Sequence, residues 1–323
     1  MSTRCAGLLA TGLLLDSASG AFAQAAYPTR QIRVLVGFAP GGPTDVMARI
    51  FSQRMSVMLG QPVVIENRTG ANGNVAAEQT AKAPPDGYTM LYGTSALALS
   101  PALYKKLNYD AVADLSPVAL TAVVPLVLAV HPSVPAKTLA EFIAYMKANP
   151  GKLNFASAGL GNVTHLGAAL FMHSQSLQAV HVPFNGSAPA AAAVAGGHVH
   201  FTTDTVNTSQ PLIADGQMRA LAVMGTKRVA ILPDTPTFAE AGIPNISIGA
   251  WQGFVAPAKT PPEIIARLNA AALEAIADKD VKTKVETLGG QTLGSTPGEY
   301  AEFLKTETVR LAEVVKNAGI KQE

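Results

Sequence analysis

Ile32-Arg-Val-Leu-Val-Gly-Phe-Ala-Pro-Gly-Gly-Pro-Thr-Asp45 is the stretch that decides the fold. Its first half is an apolar, β-branched run and reads as a buried strand. It breaks on Pro40, Gly41 and Gly42, then passes into a helical pattern with Met47, Ile50, Phe51, Met55 and Met58 on one face. A strand that turns into a helix through glycines leaves open backbone and the free N–H groups of a helix start facing one space. That is an anion site built from backbone alone. No catalytic equipment stands near it, so the junction points to binding.

The same alternation continues along the chain. Strand-like runs at Pro62–Glu66 and Tyr88–Tyr92 flank a Gly/Asn-rich loop at 67–74 and a helix at 75–82. Val123–Val130 is extended and feeds a helix opened by the capping box Thr138-x-x-Glu141. Leu153–Ser157, Val180–Pro183, Val199–Thr203 and Ala220–Met224 form a second strand set, with an Ala-rich helix at 188–195. Trp251–Ala256 returns as a strand, and two late helices close the chain. Thr260-Pro-Pro-Glu263 and Thr296-Pro-Gly-Glu299 each place Thr at the N-cap and Pro at the first helical position. This order predicts an α/β fold of mainly parallel sheets covered by helices. The length exceeds what one core usually holds, so two domains are expected. Extended crossings near 124–130 and 247–255 would join a discontinuous lobe (27–125 and 250–323) to an inserted one (126–249), acting as a hinge.

The first residues read as a signal peptide at 1–23. Arg4 is the positive n-region, Ala6–Leu15 the apolar core, and Ala21-Phe-Ala23 the cleavage site. Export follows, and removal of the segment takes away Cys5, the one cysteine. The mature chain then holds no disulfide and no thiolate. A net charge of +2 without a Lys/Arg cluster argues against nucleic acid. Val118–Val130 is the best candidate for a membrane span, but it is interrupted by Pro125 and falls short of the ~20 residues a span needs.

Four strand ends carry small, hydroxyl-bearing or Gly residues just before a helix: Pro40–Asp45, Thr94–Ser100, Ser157–Thr164 and Phe184–Pro189. In open α/β sheets ligands sit beyond the carboxyl ends of the strands. None of the four contains Lys or Arg, so an anion there would be held by N–H groups, helix dipoles and hydroxyls. Pro40, Gly41, Gly42 and Thr44 are expected to grip the ligand, with Asp45 as the cap that fixes their loop. Thr94 and Ser95 read equally as contacts or turn hydroxyls. Ser157, Ala158, Gly161, Asn162 and Thr164 lean towards ligand, and His165 divides between packing and contact. Phe184 and Ser187 belong to the fourth loop. Asp204 and Thr205 orient the cleft or cap the next element, and Trp251 reads as core. His198 and His200 fall on one face of a strand and read as exposed rather than as a metal pair. A Ser–His pair from Ser157 or Ser187 with His165 stays open. The sequence has no G-x-S-x-G, Walker loop, H-E-x-x-H or C-x-x-C.

Taken together, Pro40-Gly-Gly-Pro-Thr-Asp45 with Ala48-Arg49, Glu66-Asn-Arg68, Pro84-Pro-Asp-Gly-Tyr88, Asn154-Phe-Ala-Ser157 through His165, His181-Val-Pro-Phe184 with Gly186-Ser-Ala-Pro189, Arg219-Ala-Leu-Ala-Val223, Lys227-Arg228, Leu232-Pro-Asp234 and Glu240-Ala-Gly242 resemble the Bug family, the periplasmic solute receptors of tripartite tricarboxylate transporters. The resemblance implies a two-lobed, type II periplasmic-binding-protein fold joined by two hinge strands and closing on a carboxylated solute. It implies that Phe38–Asp45 grips the carboxylate, opposed by Ser157–His165 and Phe184–Ser187. Two departures stand out. Asn72 replaces a usual Gly, and Phe184-Asn185 replaces a common Tyr-Lys pair, removing a hydroxyl and a cation from the cleft edge. The expectation is therefore an exported, monomeric receptor for a small organic carboxylate, with no cofactor, metal, nucleic acid or membrane insertion, working with membrane transporter subunits. A sensor component docking a membrane signalling partner and a periplasmic hydrolase are the alternative classes.

Overall fold

The computed structural model describes residues 27–323 apart from 245, 247, 318, 321 and 323. The expected signal peptide and its cleavage near Ala23 lie outside the described residues. In chain order the elements are β1 (Ile32–Val36), α1 (Pro43–Leu59), β2 (Val63–Asn67), α2 (Asn74–Ala81), β3 (Thr89–Thr94), α3 (Ala96–Leu103), β4 (Leu115–Val130) and α4 (Leu139–Ala148). Then come β5 (Asn154–Ser157), α5 (Val163–Gln175), β6 (Val180–Pro183), α6 (Ser187–Ala195), β7 (Phe201–Thr205), α7 (Val206–Ala214) and β8 (Arg219–Val223). The chain closes with β9 (Gly249–Pro257), α8 (Pro262–Ala277), α9 (Lys279–Thr287), β10 (Gln291–Thr292) and α10 (Pro297–Asn317).

Hydrogen bonding orders the strands β2-β1-β3-β9-β4-β7-β5-β6, with β8 and β10 also on β4. The two ends of this path are parallel triplets, β2-β1-β3 and β7-β5-β6. Parallel neighbours need a helical crossover, which is why a helix separates each pair in sequence. Between the triplets, β9 and β4 run antiparallel. β4 serves both halves: Leu115–Pro125 pairs with β9, while Leu126–Val130 sits between β7 and β8. The fold is two-lobed α/β, each lobe a mainly parallel sheet under helices.

Periodicity explains the packing. Val34 and Val36 of β1 and Met47, Phe51 and Met55 of α1 are fully buried in one core, with Ile50 and Met58 at its edge. Phe142, Phe155, Phe171 and Phe201 anchor a second. At ~1.5–3 kcal/mol for each fully buried large apolar side chain, these cores hold the helices on the sheet.

Four details differ from the sequence reading. Among the described residues three helices, not two, come after β9: α9 is opened by Asp278, whose carboxylate accepts from the N–H of Asp280 (2.9 Å) and Val281 (3.1 Å). Thr296 and Glu299 form the full capping box, yet Thr260 caps nothing. With Pro262 opening α8, Pro261 occupies the cap position, and the Thr260 hydroxyl donates back to the Pro257 carbonyl at 2.7 Å. Thr138 accepts the Glu141 N–H, but the Glu141 carboxylate takes the Lys137 N–H instead of completing the box. His198 and His200 precede β7 in a turn and share no strand face; the His200 ring is bonded to Asn154 (2.6 Å). Among the described residues no helix is long and apolar enough to cross a membrane, and no group of three His, Cys, Asp or Glu side chains is placed to hold a metal.

Candidate functional site

A cleft of about 940 Å³ opens where the two triplets face each other. One wall is the start of α1 (Phe38, Gly42, Pro43, Thr44), the 69–72 loop and the start of α3 (Thr94, Ser95, Ala96). The other is the 158–164 turn into α5, the 184–189 turn into α6, and Thr205 and Thr208 at the start of α7. Val124 of β4 and Ala250 and Gln252 of β9 close the floor. Five helix starts thus converge on one space, each carrying about half a positive charge and unpaired N–H groups. Among the described residues, none of the lining side chains is charged.

The α1 loop is fixed from behind by Asp45. This side chain is 1% exposed and accepts from the Gly41 N–H (2.9 Å), the Arg49 guanidinium (2.9 and 3.0 Å) and the Asn67 amide (2.9 Å). Burial pushes its carboxyl up, but the bonds from Arg49, Gly41 and Asn67 outweigh this and hold it below the usual range. Asn67 also donates to the Phe38 carbonyl (2.9 Å), tying β2 to the loop. Gly41, at φ +76°, makes the turn that brings Gly42 and Thr44 to the cleft. Pro40 and Gly41 themselves are exposed and do not line the cleft. The first-turn N–H of Thr44 has no intrahelical acceptor, because Val46 is the first to bond back, to Gly42.

Across the cleft, Thr164 accepts the Ala158 N–H (2.8 Å), and Asn162 caps α5 by accepting the Thr164 N–H (3.1 Å). Asn162 also reaches Asn72 on the opposite wall at 3.4 Å. Ser157, Gly161 and His165 lie behind this wall. Ser157 is fully buried, 2.7 Å from the His181 ring nitrogen, and bonded to the Gly159 backbone. Gly161 packs against Leu103 and donates to Nδ1 of His165 at 3.1 Å, which makes that nitrogen the acceptor. The open Ser–His question resolves to different partners: Ser157 meets His181, and Ser187 meets Asp204. The Ser187 hydroxyl donates to Asp204 Oδ1 at 2.7 Å, and the Thr205 N–H donates to the same oxygen at 2.6 Å. Burial raises the Asp204 carboxyl to about 6 against those bonds. Trp251 is core, its indole N–H on Glu307 at 3.2 Å.

The structure therefore brings Phe38, Gly42, Thr44, Thr94, Ser95, Ala158, Asn162, Thr164, Phe184, Ser187 and Thr205 to the cleft surface. It sets Pro40, Gly41, Asp45, Ser157, Gly161, His165 and Asp204 outside or behind it. Sequence reasoning missed Thr69–Ala71, Tyr104, Thr208 and Gln252. Gln252 left a signal, a lone polar residue in an otherwise apolar strand. Thr208 left none, since its place depends on how α7 starts.

The family described as "Tripartite tricarboxylate transporter family receptor" matches residues 47–320. Protein BugT of Bordetella pertussis is 37% identical over 297 residues, covering 91% of this chain and 91% of that protein. A Rhodopseudomonas palustris protein solved with adipate superposes with a TM-score of 0.85 at 36% identity, covering 92% of this chain and all of the other. MatC from the same organism, with bound malate, gives a TM-score of 0.78 at 36% identity, with 90% and 100% coverage.

Proposed function

This chain belongs to the tripartite tricarboxylate transporter receptor family, the Bug family, and we propose that it captures a small organic carboxylate in the inter-lobe cleft and delivers it to a membrane transporter. The observation that carries this reading is the convergence of five helix starts on a cleft with no charged lining side chain. Such a site offers N–H groups and hydroxyls, which hold a carboxylate reversibly. Phe38, Leu99, Val163 and Phe184 add apolar lining, which suits an acid with a short hydrocarbon body. The related proteins solved with adipate and malate agree with that class. Binding and release, not turnover, are the work assigned to it. Ser157, the serine that meets a histidine, is fully buried behind the wall, and Ser187 at the cleft pairs with Asp204 and with no imidazole, so no Ser–His pair faces the cleft among the described residues.

In this reading residues 27–125 with 250–323 form one lobe and 126–249 the other. They hinge where β4 passes from β9 to β7 and where the chain returns into β9. Closure adds second-lobe contacts to a ligand held on the first, so ligand shifts the population towards the closed form. The protein is exported by its N-terminal segment and works as a monomer in the periplasm.

A thermal-shift screen of mono-, di- and tricarboxylates, amino acids and aromatic acids, followed by calorimetry, tests the proposal. A ligand at one hundred times its Kd should stabilise the fold by ~2.7 kcal/mol. Turnover of an ester or amide lost on changing one named Ser or His would overturn it in favour of a hydrolase.

A further inference from the structure

The two walls of the cleft are not electrostatically alike. On the α1 wall the buried carboxylate of Asp45 is cancelled by Arg49 at 2.9 Å. On the other wall Asp204 sits at the starts of α6 and α7, 1% exposed, with no cationic partner among the described residues. Its Oδ1 takes the Ser187 hydroxyl hydrogen and the Thr205 amide hydrogen; its Oδ2 is buried without any hydrogen-bond partner. Two donors that an anion would need have therefore been withdrawn from this wall. The buried charge also offsets the two helix dipoles that point there.

Resting on the receptor function proposed for this cleft, we infer that the α6–α7 wall is an acceptor wall: Asp204, behind Ser187 and Thr205, selects an organic acid carrying a hydroxyl or ammonium donor at the end remote from its anchoring carboxylate, and disfavours a second carboxylate there. Asp204 is a positioning residue, acting through Ser187, whose hydroxyl oxygen is left with its lone pairs towards the cleft.

The charge state of Asp204 is set locally. β4, β5, α6 and α7 contain no titratable side chain, and Asp204 is the only one on β7. α5 packs on the opposite face of β7, where Thr203 donates to the Thr164 carbonyl; its His165 and His173 are on that side. His181 belongs to β6, two strands away, and Arg219 of β8 donates to the Ala136 carbonyl. A carboxyl raised to about 6 is ionised at neutral pH and neutral in mild acid. The acceptor wall is thus present above that point and weakens below it.

Calorimetry with γ-aminobutyrate, γ-hydroxybutyrate, glutarate and pentanoate tests this on the wild type, Asp204→Asn and Ser187→Ala. At pH 7.5 all four acids carry their full charge, because carboxylates titrate near 4.3, the second one of a diacid about a unit higher, and alkyl ammonium near 10.4. Below about pH 6.5 glutarate takes up a proton, so the pH series compares the donor-bearing acids with pentanoate. At pH 7.5 the wild type should prefer the two donor-bearing acids over glutarate by about tenfold or more, the scale of one charge-assisted hydrogen bond. The preference for the two donor-bearing acids over pentanoate should shrink as pH falls through about 6, and should be smaller and pH-independent in Asp204→Asn. Ser187→Ala, a partly exposed position, should lose the preference over pentanoate while still binding acids. Equal or tighter glutarate binding by the wild type, or a preference unmoved by pH and by Asp204→Asn, overturns the inference and leaves the receptor reading intact. Binding of none of the four acids also overturns the inference, while the receptor reading is decided by the wider acid screen.

Discussion

The imidazole rings of His165 and His181 lie 3.9 Å apart and within 4° of parallel, directly behind the cleft turn at 158–164. Phe155 stacks on both, and Ser157 bonds the His181 ring. Two cations cannot share that stack. Burial and then the neighbouring His181 push His165 down to about 3, and burial lowers His181 as well. In the unfolded chain both protonate near 6.5.

Folding stability should therefore be full above about pH 6.5 and fall as pH drops towards the folded value, because the unfolded state binds the extra protons. The expected slope from His165 alone is about 1.4 kcal/mol per pH unit. Urea unfolding of wild type and His165→Asn between pH 7 and 4.5 checks it. Asn can still accept the Gly161 N–H, so the variant should show a slope shallower by about one proton. Parallel pH curves would refute the assignment.

Asp45→Asn should cost about 1–3 kcal/mol, since an amide nitrogen would face the Arg49 and Asn67 donors that the carboxylate accepts. Arg49 is half exposed and finds water, which limits the loss. The wild-type carboxyl is held low, so its contribution is present above about pH 4 and lost as pH falls below it, in a window that begins more acid than that of the histidines. Denaturation at pH 7 and pH 3 separates the two effects: the variant should be weaker at pH 7 and approach wild type at pH 3.

Affinity on the α1 wall should depend on open backbone. Gly42 has φ −72° and ψ 166°, a conformation any residue adopts, and an added Cβ would meet only the Ala39 carbonyl at 3.2 Å. Gly42→Val should fold with a loss of no more than about 1 kcal/mol at the cap position. It should abolish acid binding by covering the first-turn N–H groups. Thr44→Ala should weaken binding by about 1 kcal/mol, one neutral hydrogen bond. Full-strength binding by folded Gly42→Val in calorimetry would move the carboxylate to another helix start.

How much of this was legible in sequence depends on the range of each interaction. The β1–α1 junction was readable because periods of two and 3.6 residues adjoin across a Pro/Gly break. The role of Asp45 was readable too, since its bond to Gly41 is local, although Asn67 was not. Ser157 and His181 meet only because β5 and β6 pair in parallel with Phe155 opposite His181, a register no local pattern encodes. Thr260 looked like a cap because a Thr-Pro-Pro run fits two registers, and the helix took the later one. The 69–72 loop was visible as a loop; its seat in the cleft depends on backbone contact between two glycines distant in sequence.

Gly37 at the end of β1 and Gly73 at the end of the 71–73 turn touch backbone to backbone: a Cβ on Gly37 would lie 2.5 Å from Gly73 Cα and 3.1 Å from its carbonyl oxygen. Neither backbone can yield as a flexible side chain would, and Gly73, at φ +91°, cannot readily be replaced. This approach seats Ala71 and Asn72 in the cleft. Gly37→Ala should force the turn outward, costing about 1–3 kcal/mol in stability, as overpacking does. It should also weaken acid binding, although no ligand-facing side chain has changed. Gly298→Ala in α10 is the control: nothing lies within 4 Å of its Cβ position, and Ala is up to about 1 kcal/mol better than Gly in a helix. Thermal melts and calorimetry on both variants decide the point. A Gly37→Ala protein that melts and binds like wild type would show that the turn adjusts freely and does not shape the site.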